Sequence, residues 1–216
     1  MSSQLLIVVS TFLAAFFGLG AVGIAYAGPF AVGAGLIAMV ATQRRRGLPW
    51  ASIGLGAPDG PARLALQALI GLLAGWSAAL AATLLATRGL GWDPIDTARF
   101  ADIQGDEGRL LGMLAISWTT AALGEEVLFR GFLQSRLQSL FGERRHAVVL
   151  AALAQAVLFG LGHAYQGATG ILVSGAIGLA FGLLMLRFRT VWPLVVAHGL
   201  IDTVSMLALY AGARPG

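Results

Sequence analysis

The chain has no cysteine and no lysine, and only 11% of its 216 residues are charged. Without cysteine there are no disulfides and no thiolate metal ligands, and the redox compartment leaves no trace. All fourteen basic residues are arginines, so the net charge of +4 and the pI near 10.6 rest on few positions. Those arginines close hydrophobic runs and do not form a stripe with interleaved aromatics, which argues against a nucleic-acid partner. What remains is apolar: 57% of the residues are hydrophobic and the mean hydropathy is +0.81.

A hydrocarbon core about 30 Å thick needs roughly 20 apolar helical residues per crossing, and the sequence supplies several such runs. The expectation is an all-α polytopic membrane helical bundle of about six to eight membrane helices. Residues 1–216 form a single integral membrane domain, and its chemistry is concentrated in about 110–210. The lipid bilayer is therefore a partner, and the Ala, Gly and Arg richness points to a bacterial inner (plasma) membrane. Ala25-Tyr26-Ala27 has the small residues of a cleavage site, but no basic region precedes the apolar run, which is too long for a signal peptide.

Residues 5–40 exceed one ordinary span, and Gly28-Pro29 near their middle predicts a break. Arg44-Arg45-Arg46 closes that stretch, and a loop with Pro49, Pro58 and Pro61 leads to a span over 64–86. Asp93, Asp96, Asp102, Asp106 and Glu107 then outnumber Arg99 and Arg109 in an acidic loop. Helices follow over 110–133, 147–161, 168–186 and Trp192–Tyr210. Under strict alternation the triple arginine, the connector at Arg136, Arg144 and Arg145, and the turn at Arg187 and Arg189 share one side. The positive-inside rule makes that side cytoplasmic and puts the acidic loop and the C-terminus opposite.

Gly18-x-Gly20-x-x-Gly23 has the letters of a dinucleotide fingerprint, but it lies in an apolar helix with no preceding strand. Ser174, Gly178 and Gly182 recur every four residues, a small-residue stripe that lets helices pack closely.

Three clusters stand out in this apolar background: Glu125-Glu126-x-x-x-Arg130, Phe159-x-x-x-His163 and His198-x-x-x-Asp202. Ionisable groups inside membrane helices are costly unless paired or functional, so each cluster is a site hypothesis. Residues four apart share a helix face, so Glu126 can pair with Arg130. Glu125 then lies about 140° around from Arg130, outside that pair. Phe159 can pack beside His163, and Asp202 stands beside His198, suited to orient the ring or to join it in metal ligation. A glutamate and two histidines can also hold Zn²⁺ with an open position for water. An unbroken helix from Ala147 would carry His163 deeper than Glu125 and His198, and Gly160 and Gly162 are candidates for a break.

The clusters resemble the signature of the CPBP intramembrane protease family, which includes CAAX prenyl proteases and bacteriocin-processing, Abi-like relatives: EExxxR, FxxxH, then HxxxN or HxxxD. The resemblance spans 125–202 and implies an intramembrane endopeptidase acting on membrane-associated or CAAX-like proteins and peptides near the cytoplasmic face. It implies that Glu125 and His163 activate water while His198 and Asp202 stabilise the oxyanion, with Glu126, Arg130 and Phe159 as support. Both a metal-free route and one with zinc on Glu125, His163 and His198 are consistent with it. Asp202 stands where prominent members have Asn; an ionised aspartate cannot donate, so it orients His198, ligates metal or is protonated. The competing readings are a non-enzymatic immunity or scaffold protein of the same fold and a proton-coupled transporter, although internal repeats are missing.

Overall fold

The computed structural model describes residues 2–24, 27–58, 60–142 and 145–213. Ala25, Tyr26 and Arg144 therefore lie outside it. Eight α-helices follow in order: α1 Ser2–Ala21, α2 Ala27–Arg45, α3 Pro61–Leu84, α4 Glu107–Ile116, α5 Gln134–Phe141, α6 Arg145–Leu161, α7 Gly167–Phe188 and α8 Trp192–Tyr210. A wide π-type segment, Ser117–Leu133, joins α4 to α5, and another, Leu85–Gly89, extends α3. No strand occurs among the described residues.

Four stretches are long and apolar enough to cross a membrane, Ser3–Ala21, Pro61–Gly89, Ala164–Phe188 and Trp192–Tyr210, and α6 is a shorter apolar helix. The outside of the bundle is as apolar as its inside. Leu6, Ile37, Leu66 and Leu111 are each more than half exposed, a surface that suits lipid tails and not water.

The break in the N-terminal run falls earlier than Gly28-Pro29. Gly23, at φ +75, takes the left-handed conformation that ends α1. Pro29 sits in the first turn of α2, where its missing N–H would have had no helical partner anyway. The α1–α2 hairpin is fastened at its far end, where Gln4 donates to Gln43 at 3.0 Å and Arg136 of α5 donates to the same oxygen at 3.0 Å. Deeper in, Phe12 meets Phe129 edge-on with centroids 5.9 Å apart.

Gly160 does not break α6, which runs on to Leu161. A Cβ at Gly160 would lie 2.6 Å from the Ile171 carbonyl oxygen, so this glycine instead lets α6 and α7 cross at backbone contact. The chain turns only afterwards, leaving His163 in the bend before Ala164–Gln166. The small-residue stripe on α7 receives polar fastenings as well. Gln155 of α6 donates to the Gly178 carbonyl at 2.8 Å and Gln134 of α5 donates to the Gly182 carbonyl at 2.9 Å.

The loops sort to two ends. At one, Asp96 N–H donates to the Gln166 carbonyl at 3.1 Å, and Gly105 N–H to the Tyr210 carbonyl at 3.2 Å. The acidic loop, the α6–α7 turn and the end of α8 therefore lie together. At the other end, Val191 N–H donates to the Gly54 carbonyl at 3.0 Å, which brings the α7–α8 turn to the loop after α2. Single cysteines beside Arg45 and Arg187 are expected to react from the cytoplasmic side and one beside Asp102 only from the opposite side. Labelling of Asp102 by a cytoplasmic reagent would invert the orientation.

Candidate active site

The EExxxR cluster lies in the π-type segment, a geometry rare in helices and frequent at functional sites. Local chemistry favours the widening. Thr119 and Thr120 hydroxyls donate back to the Ala115 and Ile116 carbonyls at 2.6 and 2.9 Å, and such back-bonding competes with the regular helix ladder. Two glycines bracket the charged residues. A Cβ at Gly124 would lie 2.7 Å from Val32 Cγ1, and one at Gly131 would lie 2.5 Å from the Ile53 carbonyl oxygen. Both absences let α2 and the turn Trp50–Ile53 close over the cluster.

Within that enclosure the two glutamates have different surroundings. Glu126 and Arg130 are fully buried, and Arg130 Nη1 donates to Glu126 Oε1 at 3.0 Å. The same oxygen accepts from His198 Nδ1 at 2.8 Å, so one carboxylate ties the π-type segment to α8. Arg130 stacks its guanidinium 4.0 Å above the Phe159 ring and 5.7 Å from the Phe181 ring. The two π faces stabilise a charge whose Nε and Nη2 lack hydrogen-bond acceptors. Glu125 is only half-buried, and its Oε2 has no protein partner. It lies within electrostatic reach of His198, Asp202, Arg130 and Glu126.

Phe159 is the hub of the site. Its ring centroid lies 4.8 Å from that of His163 and 6.3 Å from that of His198, and Phe129 packs on it at 5.3 Å. The expected packing against His163 is thus one of several duties. Its own carbonyl fixes His163, whose Nδ1 lies 2.8 Å from that oxygen. A carbonyl only accepts, so Nδ1 carries the proton and Nε2 of the neutral ring is left with a lone pair. Phe159, one turn before His163, stands beside Arg130 and His198, so a continuous α6 still delivers His163 to the cluster.

Asp202 Oδ1 is 3.7 Å from His198 Nε2, too far for a hydrogen bond. Its carboxyl receives a side-chain hydrogen bond from Ser117. The expectation that Asp202 orients His198 is corrected by this geometry, because Glu126 holds the ring and Asp202 only flanks it. Among the described residues no group of three His, Asp or Glu side chains is arranged to hold a metal ion.

Sequence reasoning passed over Tyr165, whose ring is 5.9 Å from that of His163 and carries the Arg99 guanidinium 4.3 Å above its centroid. It also missed Trp118, which donates to Thr203 at 3.1 Å and lies across Gly199, where a Cβ would be 2.6 Å from the indole. The signal for Gly199 was its place directly after His198 in an apolar run.

The site therefore draws on α6, α8 and the π-type segment, and residues 107–204 match the family model described as type II CAAX prenyl endopeptidase Rce1-like. Residues 107–204, somewhat under half of the chain, are similar to that family. The Rce1-like match begins at the first residue of α4, ends inside α8 and encloses all three clusters, while α1 to α3 lie outside it. No curated protein and no solved structure matches the chain. The family is one of membrane proteases, which agrees with an all-α bundle carrying ionisable groups among apolar helices.

Proposed function

We propose that this chain is an intramembrane endopeptidase in which Glu125 activates the hydrolytic water without a metal. The observation that carries the reading is the contrast between the adjacent glutamates. Oε2 of each is without a hydrogen-bond partner, but Glu126 Oε1 accepts from both Arg130 and His198, whereas no hydrogen bond or ion pair among the described residues engages Glu125. A carboxylate already bound to two donors is a poor base; one without such donors is suited to take a proton.

In this mechanism Glu125 accepts a proton from water, and the lone pair on His163 Nε2 holds the second water hydrogen in place. The hydroxide adds to the scissile carbonyl carbon. His198, as an imidazolium whose Nδ1–H is held by the Glu126 carboxylate, donates from Nε2–H to the developing oxyanion, whose negative charge is the main thing to be stabilised. Collapse of the tetrahedral intermediate breaks the C–N bond, and the proton held by Glu125 passes to the leaving amine. Arg130, Glu126 and Phe159 keep the donor and acceptor rings in place. Substrates are membrane-associated proteins or peptides, CAAX-like ones included, in a bacterial plasma membrane; because His163 sits in the α6–α7 turn beside the acidic loop, they meet the catalytic groups toward the acidic-loop end and not at the arginine-rich cytoplasmic end expected from the resemblance.

Purified protein in detergent, incubated with membrane-associated peptides, is expected to release fragments identifiable by mass, with equal rates in the presence and absence of a chelator. Asp202→Asn is expected to retain most of that activity, because the amide still accepts from Ser117 and gains the ability to donate. Loss of activity with chelator, together with an inactive Asp202→Asn, would replace this mechanism by a metal-dependent one. Intact peptides under every condition would favour the non-enzymatic reading.

A further inference from the structure

The α7–α8 turn lies far in sequence from the EExxxR cluster and carries a second concentration of chemistry. Arg187, Arg189 and Arg63 line a cavity of about 330 Å³, together with Gly56 and residues of the loop after α2. Among the described residues no carboxylate lines it, and neither Arg187 nor Arg189 joins an ion pair.

Arg189 is also the one non-glycine residue with positive φ among those described, at +60, where it caps α7. Glycine is the ordinary residue at such a cap because a Cβ is disfavoured there. Arginine at this point is retained against the local backbone preference. A topogenic role needs positive charge somewhere in the turn, but it needs neither this position nor a cavity.

The cavity lies at the end of two apolar crossings, Ala164–Phe188 and Trp192–Tyr210. Trp192 donates to the Gly56 carbonyl at 2.9 Å beside it, and Trp50 is partly exposed nearby in the chain. Indoles of this kind mark the headgroup level of a bilayer. Guanidinium groups at that level face lipid phosphates, and basic pockets between membrane helices bind anionic headgroups. We propose that this cavity is a binding site for the phosphate of an anionic phospholipid, held by Arg187 and Arg189. The inference is independent of the peptidase reading.

The probe is phosphatidylglycerol, tested against phosphatidylcholine in mixed micelles, with lipid retention on the purified protein read by native mass spectrometry. The parent is expected to retain phosphatidylglycerol at least several-fold over phosphatidylcholine. Arg189→Gly is the decisive variant, since glycine suits φ +60 and should keep or raise thermal stability while lowering phosphatidylglycerol retention. Arg187→Gln should lower it likewise, and Arg44→Gln, an equal loss of charge in the neighbouring loop region, should leave it unchanged. Equal retention of both lipids by the parent, or undiminished retention by Arg189→Gly, would overturn the proposal. Inorganic phosphate should fail to displace the lipid; displacement by phosphate alone would assign the cavity to a soluble ligand and overturn the lipid site.

Discussion

Glu125→Gln is expected to lower the rate of peptide hydrolysis by about 10³-fold or more while folded yield and membrane insertion stay at the parental level. Removal of a positioned general base typically forfeits roughly 10²–10⁴ in rate, and in the proposed mechanism the same group also returns the proton to the amine. The amide has nearly the volume of the carboxylate, and Glu125 Oε2 has no protein partner to lose. Single-turnover cleavage alongside thermal unfolding separates the two quantities. A variant that folds normally and turns over at the parental rate would remove Glu125 from the mechanism.

Glu126→Gln should fail in a different way. Its carboxylate is fully buried and accepts from Arg130 at 3.0 Å and from His198 at 2.8 Å. Removing one partner of a buried ion pair leaves an uncompensated charge and costs about 3–5 kcal/mol. Arg130 would keep the rings of Phe159 and Phe181 and the charge of Glu125, but no carboxylate hydrogen-bonded to it. The expected outcome is a large loss of folded protein, with residual activity also reduced because His198 loses its anchor. If Glu126→Gln folded as well as the parent and was inactive, while Glu125→Gln unfolded, the roles of the two glutamates would be exchanged.

The sequence made the membrane class, the acidic loop, the pairing of Glu126 with Arg130 and the order of the later helices readable, because each depends on composition or on a spacing of four. Features set by close approach of distant segments were not readable. The break after α1 was misplaced because a proline is conspicuous and the decisive residue, Gly23, sits among glycines that have ordinary helical backbone. Gly160 looked like a breaker for the same reason, whereas its role depends on α7 lying against it. Asp202 was read as an orienter of His198, a metal ligand or a protonated donor because the two are neighbours on α8. The partner that holds the ring is 72 residues away on another helix, and no local rule points to it.

The shared oxygen of Glu126 has a consequence for how a substrate gets in. Because His198 on α8 and Arg130 on the π-type segment converge on the same atom, these two helices cannot part without unseating His198, the oxyanion donor of the proposed mechanism. An entry route that swung α8 aside would thus admit the peptide into a site disarmed by its own opening. Traffic compatible with turnover must leave that seam shut and use another side of the bundle, so a cross-link between α8 and the π-type segment should be harmless to an enzyme that works this way.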